Sequence, residues 1–232
     1  MKKLALFDFC ETLVTFQTAG RFVEYVRTMA GSRQMLRLEK MRLLSKKLRF
    51  TAVVNKLFPH FNFDKRLQLY QLKGFTKDAL DVFAREYYLK FIEPNLIPEL
   101  IDQVREKLKE GYTVSIVSGG YSIYLNYFAR EYGITDIISS EIEFDVNQVC
   151  TGRLSGADCM YHYKIQKLNK HFIAGEIDLH ESVAYSDSIT DLPLLRWAGT
   201  GIVVSSGKSQ TWAKEHGLAE IVFKKSSSLV LK

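Results

Sequence analysis

The chain has 232 residues, 47% of them apolar and 25% charged, which bounds it to one large globular domain or one domain carrying an insert and excludes a third domain. Its three cysteines, Cys10, Cys150 and Cys159, are too few and too scattered for a disulfide framework, and no stretch approaches the roughly 18 apolar residues of a membrane span, so a cytoplasmic, non-spanning protein is expected. The net charge of +6 is unevenly spread: residues 1–13 hold two basic and two acidic side chains, residues 14–90 hold 16 and 6, and residues 91–232 hold 14 and 18. A basic block inside one chain faces an anionic ligand, a nucleic acid, a membrane surface or simply solvent.

Residues 4–9, LALFDF, are a short apolar run with one acid near its end, the pattern of a buried parallel strand whose C-terminal end carries the chemistry. From about Thr18 to Lys90 the pattern turns helical: TAGRFVEYVRTMA, a long segment over 33–50, KRLQLYQL, and TKDALDVFAREYYLK with Thr76 as a candidate N-cap. In the long segment Met35, Leu38, Met41, Leu44 and Leu48 recur every three or four residues, while Arg33, Arg37, Lys40 and Lys47 occupy the other faces. This spacing predicts an amphipathic helix with an apolar core stripe and a basic exterior.

After Pro94 and Pro98 strands and helices alternate: a helix over 99–110, a strand YTVSIVS, a helix over 122–132, a short strand near Ile137, a hairpin EIEFDVNQVCTGRL and a helix over 163–171. A strand SVAYSD, a helix from about Asp191, a strand GIVV and a last helix before an apolar tail complete the chain. The expected class is α/β, a Rossmann-like parallel sheet with helices on both faces, plus an all-helical insert after the first strand. Residues 1–15 and 91–232 are read as the core and 16–90 as the insert.

Three strand ends carry polar residues: Asp8 after the first, Ser118-Gly119-Gly120 after the second, and Ser186-Asp187-Ser188 with Asp191 after a later one. Ligands bind at the carboxyl ends of parallel strands, so these groups can meet in one crevice. A Ser-Gly-Gly turn opening a helix offers a hydroxyl and unshielded N–H groups to phosphate. Asp8 and Asp187 there offer hard oxygen ligands to one Mg²⁺, and Lys164, at the start of a helix, brings a positive charge. GIVVSSGKS, residues 201–209, looks like a Walker A loop but has five residues between its glycines and follows a late strand, so it is read as a loop leading into a helix.

Together FDFCETL, VSGG, the lysine of HYKIQKL and YSDSITDLPLL make the chain resemble the haloacid-dehalogenase-like phosphatases, and within them the phosphoserine-phosphatase-like subgroup with a helical cap after the first strand. The resemblance covers nearly the whole chain, and CTGRLSGADCMYHYK also looks like that subgroup's approach to its lysine. It implies that Asp8 is a nucleophile forming an aspartyl-phosphate that water hydrolyses, that Thr12 orders the nucleophile loop, and that Ser118 and the N–H of Gly119 hold phosphoryl oxygens. It further implies that Lys164 offsets transition-state charge, that Asp187 binds Mg²⁺ with Asp8 and the backbone carbonyl of Cys10, and that Asp191 orients the lysine or a metal-bound water. Lys167 is a nearby alternative to Lys164.

The chain departs from the family at two positions. Where the family has a second Asp, which protonates the leaving group and later activates water, this chain has Cys10. A thiol with an ordinary pKa of about 8.5 is a poor match for that carboxyl, and a misplaced general acid or base costs about 10² to 10⁴ in rate, so slow hydrolysis or a long-lived phosphoenzyme is expected. Cys10 is not a cysteine-phosphatase nucleophile, because the arginine six positions on is Phe16. Glu11, a conceivable substitute acid, points away by strand alternation unless the turn breaks it, and zinc through Cys150, Cys159 and His162 is one donor short of a closed site. Nine residues after the nucleophile, where phosphoserine phosphatases carry a Glu, stands Gln17, which hydrogen-bonds without a full negative charge and makes phosphoserine itself doubtful.

The expected activity is therefore Mg²⁺-dependent hydrolysis of a small phosphorylated metabolite. Phosphoryl transfer to another acceptor, or non-catalytic binding of a phosphorylated ligand or partner, is the alternative. No nucleic-acid or membrane partner is expected, the chain is read as a monomer or homodimer, and the basic insert is read as a lid over an acidic, metal-binding floor.

Overall fold

The computed structural model describes residues 1–58 and 61–224. β1 (Leu4–Phe7) is buried at every position. Ala5 and Phe7 enter one apolar cluster and Leu4 and Leu6 another, so the strand is covered on both faces and reads as a continuous apolar run. It sits inside a parallel sheet with β2 (Thr113–Tyr121), β3 (Asp136–Ser140), β6 (Val183–Ser186), β7 (Thr200–Ser206) and β8 (Ala219–Phe223), in the order β3-β2-β1-β6-β7-β8. The direction of progression reverses between β1 and β6, which opens a crevice beyond their C-terminal ends. The start of the apolar tail contributes β8, a strand that the chain's pattern does not announce; the tail beyond residue 224 lies outside the described residues.

Between β1 and β2 run α1 (Thr18–Ala30), α2 (Arg33–Lys47), α3 (Phe50–Leu57), α4 (Phe63–Tyr70), α5 (Lys77–Tyr87), a π-helical turn at Tyr88–Ile92 and α6 (Pro98–Lys109). Their ends have local causes. Gly31 adopts φ 58° and stops α1, the Ser32 and Thr76 side chains accept the N–H of Met35 and Ala79, and Pro98 opens α6. The remaining helices are α7 (Ser122–Tyr132), α8 (His162–His171), α9 (Leu192–Trp197) and α10 (Thr211–Glu215). The antiparallel hairpin of β4 (Ile142–Phe144) and β5 (Cys150–Leu154) braces the helical insert, because Cys150 N–H donates to Phe75 O at 2.8 Å and accepts at its own carbonyl from Gly74 N–H at 2.9 Å.

Two expectations for the insert are corrected. The long segment over 33–50 is not one helix: Arg49 takes φ 57° and separates α2 from α3. Its Met/Leu stripe is not core either, since Met35 is buried and Leu38 half-buried while Met41, Leu44 and Leu48 are 66%, 54% and 69% exposed. An ion-pair network sets the rotation of α2 instead. Arg42 donates to Glu39 at 2.7 and 2.8 Å and to Asp64 at 2.6 Å, and Glu39 also accepts from Gln71 at 2.8 Å. The face centred on Met35 and Arg42 therefore turns inward, which a hydropathy pattern scores as solvent-facing.

The Walker-like segment is a strand end and a loop leading into α10, as its spacing predicts. Two of its hydroxyls, Ser205 Oγ and Ser209 Oγ, and the following Gln210 N–H donate to the Glu220 carboxylate.

Candidate active site

Asp8 directly follows β1, and its N–H donates to Tyr185 O at 2.9 Å, so the sheet ladder itself delivers the carboxylate to the crevice. Lys164, in the first turn of α8, is buried and donates to Asp8 Oδ1 at 2.7 Å and to Asp191 Oδ2 at 2.6 Å. Asp191 Oδ2 accepts a second bond, from Ser186 Oγ at 2.7 Å. Burial opposes the charge on Lys164, but the two carboxylates hold its pKa well above the ordinary lysine range. Lys167 is not an equivalent candidate, since its Nζ donates to Ser139 O at 2.5 Å.

Asp187 directly follows β6, near Asp8. Thr12 Oγ1 accepts the Asp187 N–H at 3.0 Å and donates to Asp187 Oδ1 at 3.1 Å, which ties the loop after β1 to the loop after β6. Burial, reinforced by the negative charge of Asp8, pushes the Asp187 carboxyl up to about 7; burial likewise raises Asp8, to about 6, against the pull of Lys164. Two neighbouring carboxylates, Asp8 buried and Asp187 half-buried, that resist ionising together are what a divalent cation would relieve, and they would offer hard-oxygen ligands to Mg²⁺. Among the described residues no three His, Cys, Asp or Glu side chains form a cluster that could hold a metal by themselves, so Cys150, Cys159 and His162 do not build the zinc site considered above. The Cys159 thiol instead donates to Ile138 O at 3.3 Å.

Ser118 is fully buried at the end of the crevice, and its Oγ accepts the Gly120 N–H at 3.2 Å. A Cβ on Gly119 would lie 2.9 Å from Met160 Cγ, so a side chain there would displace Met160. Asp8, Cys10, Gln17, Ser118, Gly119, Lys164, Asp187 and Asp191 line one cavity of about 330 Å³; Thr12 stands behind it, holding Asp187.

Cys10 lines this cavity, yet its thiol is committed elsewhere. Sγ lies 3.0 Å from Thr18 Oγ1, which is 2.8 Å from Tyr124 OH, which accepts the Tyr121 N–H at 2.9 Å. Burial and then the charge of Asp8 push the thiol up to about 11, so it stays protonated and bound to the first turn of α1. Glu11 does not follow strand alternation: φ 58° turns it into the cavity wall, where Gln17 Nε2 donates to its Oε2 at 2.5 Å.

The pattern of the chain did not point to Lys65. This insert residue is buried, donates to Gly119 O at 2.6 Å and pairs with Asp158, whose Oδ1 also accepts from Ser140 Oγ at 2.6 Å. It latches the helical insert to the phosphate-turn candidate of the sheet. Only its position among polar helix residues was visible, and a pairing with a partner 93 positions away leaves no local signal. Among the described residues Lys65 is also the one basic residue of the insert lining the cavity; Asn62 and Gln68 are its polar neighbours there. Of the insert's other cations, Arg21, Arg27 and Arg42 line an adjoining cavity that shares Glu11, Gln17, Gly20 and Gln68 with this one.

The family description "haloacid dehalogenase-like hydrolase" matches residues 5–196. A histidinol-phosphatase of Neisseria meningitidis is 27% identical over 164 residues, covering 68% of this chain and 73% of that protein. A phosphoserine phosphatase of Methanocaldococcus jannaschii is 27% identical over 201 residues, covering 87% and 84%. Among solved structures, a protein of unknown function from Bordetella pertussis superposes with a TM-score of 0.74 at 22% identity, covering 95% of this chain and 98% of that one. A substrate-bound phosphoserine phosphatase superposes with a TM-score of 0.59 at 21% identity, covering 97% and 94%. At these identities the superpositions speak for the fold.

Proposed function

The chain belongs to the haloacid dehalogenase-like hydrolases, and we propose that it hydrolyses a small phosphorylated metabolite through an aspartyl-phosphate on Asp8. The observation that carries this reading is the Asp8–Lys164–Asp191 triad beside Asp187 and Ser118 in one cavity. An Asp8 oxygen attacks phosphorus as the P–O bond to the leaving alkoxide breaks; water then attacks phosphorus, the acyl-phosphate P–O bond breaks, and the Asp8 carboxylate and inorganic phosphate are regenerated. Ser118 Oγ and the Gly119 N–H hold phosphoryl oxygens, and Lys164 balances the charge that accumulates on them, with Asp191 and Ser186 orienting its ammonium. Asp8, Asp187 and the backbone carbonyl of Cys10 would hold Mg²⁺, which would supply charge neutralisation at the phosphoryl group.

The alkoxide needs a proton and the water must lose one. Cys10 is poorly placed for both, since its thiol is held by Thr18 Oγ1 at 3.0 Å. We therefore assign slow dephosphorylation to this chain, which favours a second reading in which an alcohol other than water accepts the phosphoryl group. The non-phosphate end of the substrate meets Gln17, Asn62 and Gln68, while the charge of Lys65 is matched by Asp158 and the Glu11 carboxylate already accepts from Gln17. The Gln17 amide leaves the Glu11 carboxylate its negative charge, so this wall suits hydrogen-bonding groups and can also receive one ammonium. The test is Mg²⁺-dependent turnover of a generic aryl phosphate by the parent, Asp8→Asn and Cys10→Asp. Loss in the first and gain in the last are expected; full activity of Asp8→Asn overturns the covalent reading.

A further inference from the structure

The outward face of α2 and α3 is a large feature that the cavity does not use. Residues 36–61 hold ten of the twenty large apolar side chains exposed among the described residues. Met41, Leu44, Leu48 and Phe50 are each 54% to 69% exposed, well beyond the scattered single apolar residues that an ordinary surface carries, while Leu57 and Phe58, also exposed, line a groove with Ala157, Asp158 and Tyr163 at its edge. Exposed cations are interleaved with them: Arg33, Arg37, Lys40, Lys47, Arg49 and Lys56. The nearby carboxylates Glu39 and Asp64 are taken by Arg27, Arg42 and Lys46, and no described carboxylate pairs with the six.

We propose that this face docks the protein on an anionic lipid bilayer surface. Large apolar side chains lose water by entering the headgroup boundary, while lysine and arginine stems lie along the same apolar layer and carry their heads to the lipid phosphates and carboxylates. The interleaving that rules out a clean apolar stripe for a protein groove suits this environment. A second copy of the chain is a poorer occupant, because a symmetric contact sets six unmatched cations against six more. Nucleic acid is poorer too, because phosphates engage the cations and leave the apolar side chains in water. No described helix is long and apolar enough to cross a membrane, so the contact is peripheral.

The docking face lies next to the cavity's insert wall. Phe50 and Phe63 rings are 5.8 Å apart, and Asn55 Oδ1 accepts the Phe63 N–H at 3.0 Å, so α3 is fixed to α4, which carries Lys65 and Gln68. The proposal goes beyond the hydrolytic reading and does not depend on it.

Flotation of the full chain with vesicles of phosphatidylcholine alone, or mixed with phosphatidylserine, tests it. Binding to the mixed vesicles that weakens with salt is expected, with little binding to phosphatidylcholine alone. Lys40→Gln and Lys47→Gln should each weaken partition about fivefold, and the double variant Leu44→Asp, Leu48→Asp should abolish it with an unchanged thermal melt, since both side chains are exposed. Partition indifferent to Leu44→Asp, Leu48→Asp overturns the proposal. So does a concentration-dependent dimer that this double variant dissolves, without vesicle binding, or binding to duplex DNA under conditions where vesicles are ignored.

Discussion

Lys164 and Lys47 carry the same side chain in two regions of the molecule that use it differently. Lys164 is buried between Asp8 and Asp191, with every strong interaction it makes aimed at the crevice. Lys47 ends α2 in solvent, beside exposed leucines and without a described carboxylate partner. The comparison separates two meanings of a basic protein. The charge proposed to serve phosphoryl chemistry is scarce, buried and neutralised, whereas the charge that makes residues 14–90 so positive lies mostly outside the cavity. Net charge per segment thus locates a surface rather than a substrate site.

Breaking the buried side gives the largest effect. Asp8→Asn should lower turnover of an aryl phosphate by about 10⁴ or more, as removal of a covalent nucleophile does. Cys10→Asp, by restoring a carboxyl acid and base, should speed dephosphorylation by about 10²; a rapid-quench experiment would show the gain in phosphoenzyme breakdown, and no gain would mean that the thiol is not the handicap. Lys65→Met leaves Asp158 buried with Ser140 as its remaining partner, and should cost about 3 kcal/mol in urea unfolding while raising KM through the displaced Gly119 turn.

Smaller effects sharpen the outer side of the comparison. Glu39→Gln should destabilise the chain by about 1 to 2 kcal/mol, because Arg42 keeps fewer partners at a partly exposed site. The Arg42 hydrogen bonds hold the Glu39 carboxyl down at about 2, so the stability from this contact is full above the ordinary glutamate value near 4.5 and is lost as pH falls toward 2. Thermal melts of the parent and Glu39→Gln should therefore converge in acid. The smallest effect is on substrate binding in salt: if the outer cations do not serve the cavity, KM should change less than about twofold between low and moderate ionic strength, with a steep rise restoring the lid reading.

Much of the sheet was legible because parallel strands buried on both faces leave unbroken apolar runs, as in LALF of β1, and because the polar residues of the crevice follow those runs directly. The meeting of Asp8, Ser118, Lys164 and Asp187 in one cavity follows from that topology. Besides β8 and Lys65, three things were not legible. The inward rotation of α2 depends on Arg42 reaching Asp64, 22 positions away, and no periodicity encodes it. The Cys10 thiol is drawn to Thr18 by a hydroxyl chain ending at Tyr124 on a different helix. Glu11 enters the cavity because a positive φ breaks the alternation that places it outside.

The most direct measurement is intact-mass spectrometry of the chain quenched after mixing with an aryl phosphate and Mg²⁺. The account predicts a parent adduct of one phosphoryl group, absent in Asp8→Asn and shorter-lived in Cys10→Asp. Turnover without any adduct in the parent, or an adduct that persists in Asp8→Asn, would contradict it.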